Sequence, residues 1–101
     1  MATKDSEFVL IERIRSRDPD AFDQLMQRFL PMIERYVYRL CRSNDITQDV
    51  VQETFLRLWE RADRFDSEKA TLSTWLHRIA HNLCMDHFRN CHLYTSDAAD
   101  E

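Results

Sequence analysis

The chain has no glycine and only two prolines among its 101 residues. Tight hairpin turns depend on glycine and asparagine, so an antiparallel sheet is poorly served and helix is favoured. No apolar run approaches the ~18 residues that a membrane-spanning helix needs, and no secretory leader opens the chain. The three cysteines, Cys41, Cys84 and Cys91, make an odd count with no export signal; they read as reduced thiols in a cytoplasmic protein. A glycine-rich phosphate loop, a GxSxG elbow and an HExxH metal helix are all missing, so no enzyme and no cofactor are expected.

What is there is an ordinary globular composition, 44% hydrophobic and 32% charged, at a length that suits one domain. The net charge of −4 argues against a broad affinity for nucleic acid, but the charge is unevenly spread. Residues 1–54 carry 8 basic and 10 acidic side chains; residues 55–92 carry 6 and 5, and all four histidines. Residues 93–101 carry only Asp97, Asp100 and Glu101. Any contact with nucleic acid should therefore be local and come from the back half.

Periodicity divides the chain into helices. Residues 5–17 form a short one, with Leu10, Ile11 and Ile14 on one face. Asp18-Pro19 ends it and starts the next: Asp18 caps free N–H groups and Pro19 fits the first helical position. From Asp20 to about Cys41, Phe22, Leu25, Met26, Phe29, Ile33, Tyr36, Val37 and Leu40 keep a 3–4 spacing. Pro31 removes one hydrogen bond there and predicts a kink, not a break. Asp45 and Gln48 have the shape of a capping box for a helix reaching about Arg64. Its core side is Val50, Val51, Thr54, Phe55, Leu58 and Ala62. After the polar loop 65–70, Thr71 caps a last helix to about residue 90. Leu72, Leu76, Ile79 and Leu83 form its core face, and Cys84 reads as a small buried apolar residue.

Two outward surfaces stand out. Opposite the core side of the 46–64 helix lie Asp49, Gln52, Glu53 and Glu60, with Leu56 as an apolar group among them. Leu56 is either a stray exposed leucine or, with flanking Trp59, the anchor of a protein-docking face whose rim is polar. On the last helix, Trp75, Arg78, Asn82 and Arg89 fall within about 60° of one another. Trp stacks on bases, Asn bonds base edges and Arg neutralises phosphate; the same stripe is also compatible with core edge and solvated surface. Phe65 and Lys69 flank the start of that helix, where an extruded base could be received, although such a Phe also serves to plug a core. His81, Cys84, His87, Cys91 and His92 crowd the same helix, but His81 and His87 point about 120° apart and the spacing is not that of a zinc knuckle, so no metal is assigned.

Three stretches together carry a family resemblance. DPDAFDQLMQRFLPMI at 18–33, DVVQETFLRLW at 49–59 and FDSEKATLSTWLHRIAHNLCMDHFRN at 65–90 resemble, in order and spacing, the first domain of extracytoplasmic-function (ECF) sigma factors of bacterial RNA polymerase. The resemblance covers about residues 7–90. It implies an all-α fold, a compact bundle of three or four helices of the sigma region 2 type. It implies a transcription initiation factor that binds core RNA polymerase and recognises and melts the promoter −10 element.

By that resemblance Asp49, Gln52, Glu53 and Leu56 face the clamp of the polymerase β′ subunit. Trp75, Arg78 and Asn82 lie on the non-template strand of the −10 element, and the 65–70 loop holds a flipped-out base. An anti-sigma factor is a further partner the family implies. Two departures are visible. Ala70-Thr71 stands where the family usually has glycine before the helix. The family also carries a second, −35-binding domain that the tail CHLYTSDAADE does not match. Residues 1–92 are therefore expected to form the domain of a gene fragment, and 93–101 to be a disordered tail without function. The rival reading is a helical protein-interaction module that occupies the polymerase clamp without recognising DNA; binding to single-stranded −10 DNA separates the two.

Overall fold

The computed structural model describes residues 6–99, with side chains through Arg89. Four α-helices follow in order: α1 (Glu7–Arg15), α2 (Pro19–Cys41), α3 (Asn44–Arg61) and α4 (Leu72–Ala99). A short 3-10 turn, Ala62–Arg64, ends α3, and no strand occurs among the described residues. The fold is the all-α bundle expected from the periodicity. Helix α2 is its spine, packing on α1, α3 and α4, while α3 and α4 also pack on each other.

The core is built from the predicted inward positions. Leu10, Ile11 and Ile14 of α1, with Leu25, Phe29, Ile33 and Val37 of α2, are buried. So are Val50, Val51, Phe55, Leu58 and Ala62, and from α4 Leu72, Leu76, Leu83 and Cys84. Burying each large aliphatic or aromatic side chain is worth about 1.5–3 kcal/mol, which holds the bundle together. Thr54 is fully buried and satisfies its hydroxyl on the carbonyl of Val50 at 2.7 Å. Ile79, expected in the core face, is only half-buried, and Ala80 is buried beside Leu72, Leu76, Leu83 and Cys84.

The helix ends explain the boundaries. Asp18 accepts from the Asp20 N–H at 3.0 Å, with Pro19 at the first helical position, as the sequence predicts. Helix α2 continues through Pro31 as one element. The expected Asp45–Gln48 box is not the cap of α3: Ser43 is, its hydroxyl accepting from the Ile46 N–H at 3.2 Å, and the helix starts two residues earlier. Serine wins because its hydroxyl reaches a free N–H three residues on. Thr71 caps α4 by accepting from the Thr74 N–H at 3.1 Å. Helix α4 spans Leu72–Ala99; the end of the tail, 100–101, lies outside the described residues.

Among the described residues, two non-glycine residues adopt the left-handed region, Arg17 (φ 64°) and Arg42 (φ 55°). Both close a helix: the Arg17 N–H bonds to Ile14 O and the Arg42 N–H to Tyr38 O, each at 2.8 Å. Helix C-termini commonly take this shape, usually at glycine, which the chain does not have.

Candidate protein and nucleic-acid interfaces

The outer face of α3 is the more acidic surface. Asp49, Gln52, Leu56 and Glu60 are exposed and Glu53 is half-buried, pairing with Arg57 at 3.2 Å. Leu56 is 46% exposed, so it is not a core residue. A depression of about 320 Å³ between α3 and α4 is lined by Asp49, Gln52, Glu53, Leu56, Leu83 and His87. On the other side of Leu56 an apolar groove of about 330 Å³ runs between α2 and α3, along Phe22, Met26, Leu30 and Phe55. Leu56 is thus the ridge between two hollows, a shape that suits an interface anchor. Trp59, expected to flank it as a second anchor, is half-buried: its ring meets Phe22 edge-on at 5.3 Å, and the Arg17 guanidinium lies 5.5 Å over it. Arg17 also donates to the Trp59 carbonyl.

The stripe on α4 is partly assembled. Arg78 and Asn82 are exposed side by side, one turn apart. Trp75 is half-buried, its ring 5.2 Å from that of Phe65. Arg89 is exposed but bonds Asp86 at 2.6 Å, so its charge is already partly answered. Phe65 is 9% exposed and packs into the core beside Trp75, while also lining the cavity next to its loop. The reason is hydrophobic, since the loop backbone leaves the end of α3 with Phe65 turned inward.

The 65–70 loop is held by its own backbone and by α1. Asp66 accepts from the Glu68 N–H through its carboxylate at 2.9 Å, and its carbonyl accepts from Lys69 N–H at 3.0 Å. Arg15 reaches across to donate to Ala62 O at 3.0 Å and Phe65 O at 2.6 Å, while pairing with Glu12. Sequence reading missed this clip, because no local pattern announces a contact across about fifty residues. Between α1 and the loop lies a mostly apolar cavity of about 280 Å³ lined by Phe8, Ile11, Arg15, Phe65, Ser67, Ala70 and Thr71, among others. Lys69 is exposed and does not line it.

The histidines part company as the helical angle predicts. His81 lies 3.1 Å from the Tyr36 hydroxyl of α2, whereas His87 lines the α3 depression. Among the described residues no group of three metal-ligating side chains is assembled; Cys91 and His92 have side chains outside the described residues. Burial pushes the Cys84 thiol up to about 11, with the neighbouring Cys41 adding to the rise, so Cys84 stays protonated at neutral pH. Asp18 is held below the usual carboxylate range, chiefly by its hydrogen bond with Arg13 at 2.9 Å. No helix among the described residues is long and apolar enough to cross a membrane.

Comparisons with known proteins agree on one family. A family model, Sigma-70 region 2, matches residues 25–91. The chain is 37% identical over 82 residues to the ECF RNA polymerase sigma-E factor of Escherichia coli, covering 81% of this chain and 42% of that protein. It is 34% identical over 79 residues to the ECF RNA polymerase sigma factor SigW of Bacillus subtilis, covering 78% and 42%. To the ECF RNA polymerase sigma factor BldN of Streptomyces coelicolor it is 33% identical over 81 residues, covering 80% and 31%. The chain thus spans about a third to two fifths of the length of these relatives. Among solved structures, an engineered region 2 of sigmaE in complex with GTAAAA superposes with a TM-score of 0.78 at 34% identity, covering 89% of this chain and 93% of that one.

Proposed function

The chain belongs to the Sigma-70 region 2 family, and on that premise we propose that it docks on core RNA polymerase and binds and opens the promoter −10 element. The observation that carries the DNA half is the placement of Arg78 and Asn82, exposed together on α4 beside the supported Trp75. Side chains that served only the core would be turned inward. The solved relative holding GTAAAA supports the same reading.

In this mechanism no bond is made or broken, and the protein is not an enzyme. Asp49, Gln52, Glu53, Leu56 and Glu60 meet the β′ clamp, which fixes α4 over the duplex, in the cytoplasm where the polymerase works. Trp75, Arg78 and Asn82 then hold the non-template strand, and Arg89 reaches a phosphate once it leaves Asp86. A base leaving the stack enters the cavity beside the 65–70 loop, with Phe65 in its wall, while exposed Lys69, outside the cavity, answers the strand's phosphates. Unstacking costs a few kcal/mol, and capture of the base repays it. Residues 1–92 are the working domain; an anti-sigma factor would regulate it by covering either face.

The test compares two templates. Linking two weak sites raises apparent affinity by about 10²–10⁴, and this region supplies one site only. With core polymerase, the chain should start transcription on a template already unpaired at −10 and do so poorly on the intact duplex, where an ECF factor with both domains works on each. No stimulation on the unpaired template overturns the reading.

A further inference from the structure

Beside Arg78 and Asn82 the surface dips into a groove of about 300 Å³ between α4 and α2. Its far wall is Tyr36, a residue of α2 that the sequence places in a core pattern. The structure turns its hydroxyl outward, 3.1 Å from Nδ1 of His81. The Tyr36 ring also meets His77 edge-on, centroids 4.8 Å apart at 78°. His77 is itself fixed, because its Nδ1 lies 2.7 Å from the Ser73 carbonyl. A carbonyl only accepts, so Nδ1 carries the proton.

The electrostatics of the groove differ from those of the α3 face. The chain carries 18 carboxylates against 14 basic groups, yet no carboxylate lines this groove, and Arg78 does. The α3 depression of similar size is lined by Asp49 and Glu53. Rigid aromatic and imidazole rings beside a guanidinium and an amide are what single-stranded nucleic acid uses: rings for bases, guanidinium for phosphate. The volume sits at the lower end of the range for small-ligand sites, about 300–1,000 Å³.

We propose that the α2–α4 groove is a nucleotide subsite, in which Tyr36 and His81 seat one further nucleotide of the single strand whose phosphate Arg78 holds. The subsite rests on the DNA reading above and extends the strand's path from α4 onto α2. Tyr36 supplies the stacking ring. His81 is a positioning residue that holds the Tyr36 hydroxyl and so the tilt of that ring.

The full chain and the labelled hexanucleotide GTAAAA give the test, with six further strands each lacking one base. Tyr36→Ala should weaken binding about tenfold on the intact strand. On one of the six abasic strands it should cost nothing, since the base it stacks is already gone. Tyr36→Phe, which keeps the ring and guards against loss of fold, should weaken binding about twofold, and His81→Ala should match it. Tyr36→Ala binding like the unchanged chain, or losing equally on all seven strands, overturns the subsite. Asn82→Ala separates the two claims: a loss there with none at Tyr36 removes the subsite and leaves the DNA reading standing. If the unchanged chain does not bind the strand at all, both fall.

Discussion

The outer faces of α3 and α4 stand on the same core and differ in almost every outward residue. Around Leu56 the α3 face carries Asp49, Glu53 and Glu60; beside Trp75 the α4 face carries Arg78, His81 and Asn82. Phe55 and Leu58 beneath one, and Leu76 and Leu83 beneath the other, are interchangeable in kind. Inward positions therefore set the shape and say nothing of the partner. The outward ones divide the molecule into an acidic, ridged half suited to protein and a carboxylate-poor, ringed half suited to a strand.

The contrast can be erased by attacking what the faces share. Phe55→Ala should destabilise the bundle by about 3–5 kcal/mol, through lost burial plus the cavity left behind. Polymerase binding and strand binding should then fall together, with a large drop in thermal midpoint. If one activity survives while the other is lost, the two faces do not depend on one core.

It can be sharpened from either side. Replacing Gln52 and Leu56 by Ala should cost about 2 kcal/mol or more of polymerase affinity, the scale of an interface anchor, while melting stays unchanged. Affinity measured alongside a thermal melt checks this, and an affinity loss that merely tracks unfolding contradicts the docking face. On the other side, Trp75→Ala should cost about 1–3 kcal/mol of strand binding, part of it through lost packing on Phe65. Asn82→Ala isolates the effect, since Asn82 is exposed. Permanganate footprinting should show less promoter opening with polymerase binding intact, and normal opening would reduce the stripe to plain surface.

The smallest effect lies away from both faces. The Asp18 carboxylate is held below its ordinary range in the fold, so its ionised form is favoured there over the unfolded chain. That contribution is present above the unfolded value near 3.8 and lost as pH falls through the folded one. Acid titration of stability should therefore be shallower in Asp18→Asn than in the unchanged chain below about pH 4. Equal slopes would show that the Arg13 bond does not persist in solution.

The 3–4 spacing made the fold readable. Leu25, Phe29, Ile33 and Val37 bury as their period demands, and buried Cys84 needed only its place on α4. The exposure of Leu56, Arg78 and Asn82 was legible the same way, by angle on one helix. What could not be read is what joins helices. Tyr36 meets His81 across 45 residues and Arg15 meets Phe65 across 50, and these contacts depend on how the helices cross, which a single-helix period does not contain. The ring contacts of Phe65 and Trp59 lie beyond a single-helix period in the same way, Phe65 meeting Trp75 and Trp59 meeting Phe22.

Arg17 and Arg42, turned left-handed at the ends of their helices, have a bearing on the denatured state. A glycine widens the unfolded ensemble, and ordering it costs roughly 0.5–1 kcal/mol more than ordering an alanine. A chain with none avoids that loss at every position and, among the described residues, concentrates strain, on the order of 1 kcal/mol each, at Arg17 and Arg42. Small domains bury too little surface to be stable by a wide margin. Here some of that margin comes from the disorder the chain does not have to give up when it folds.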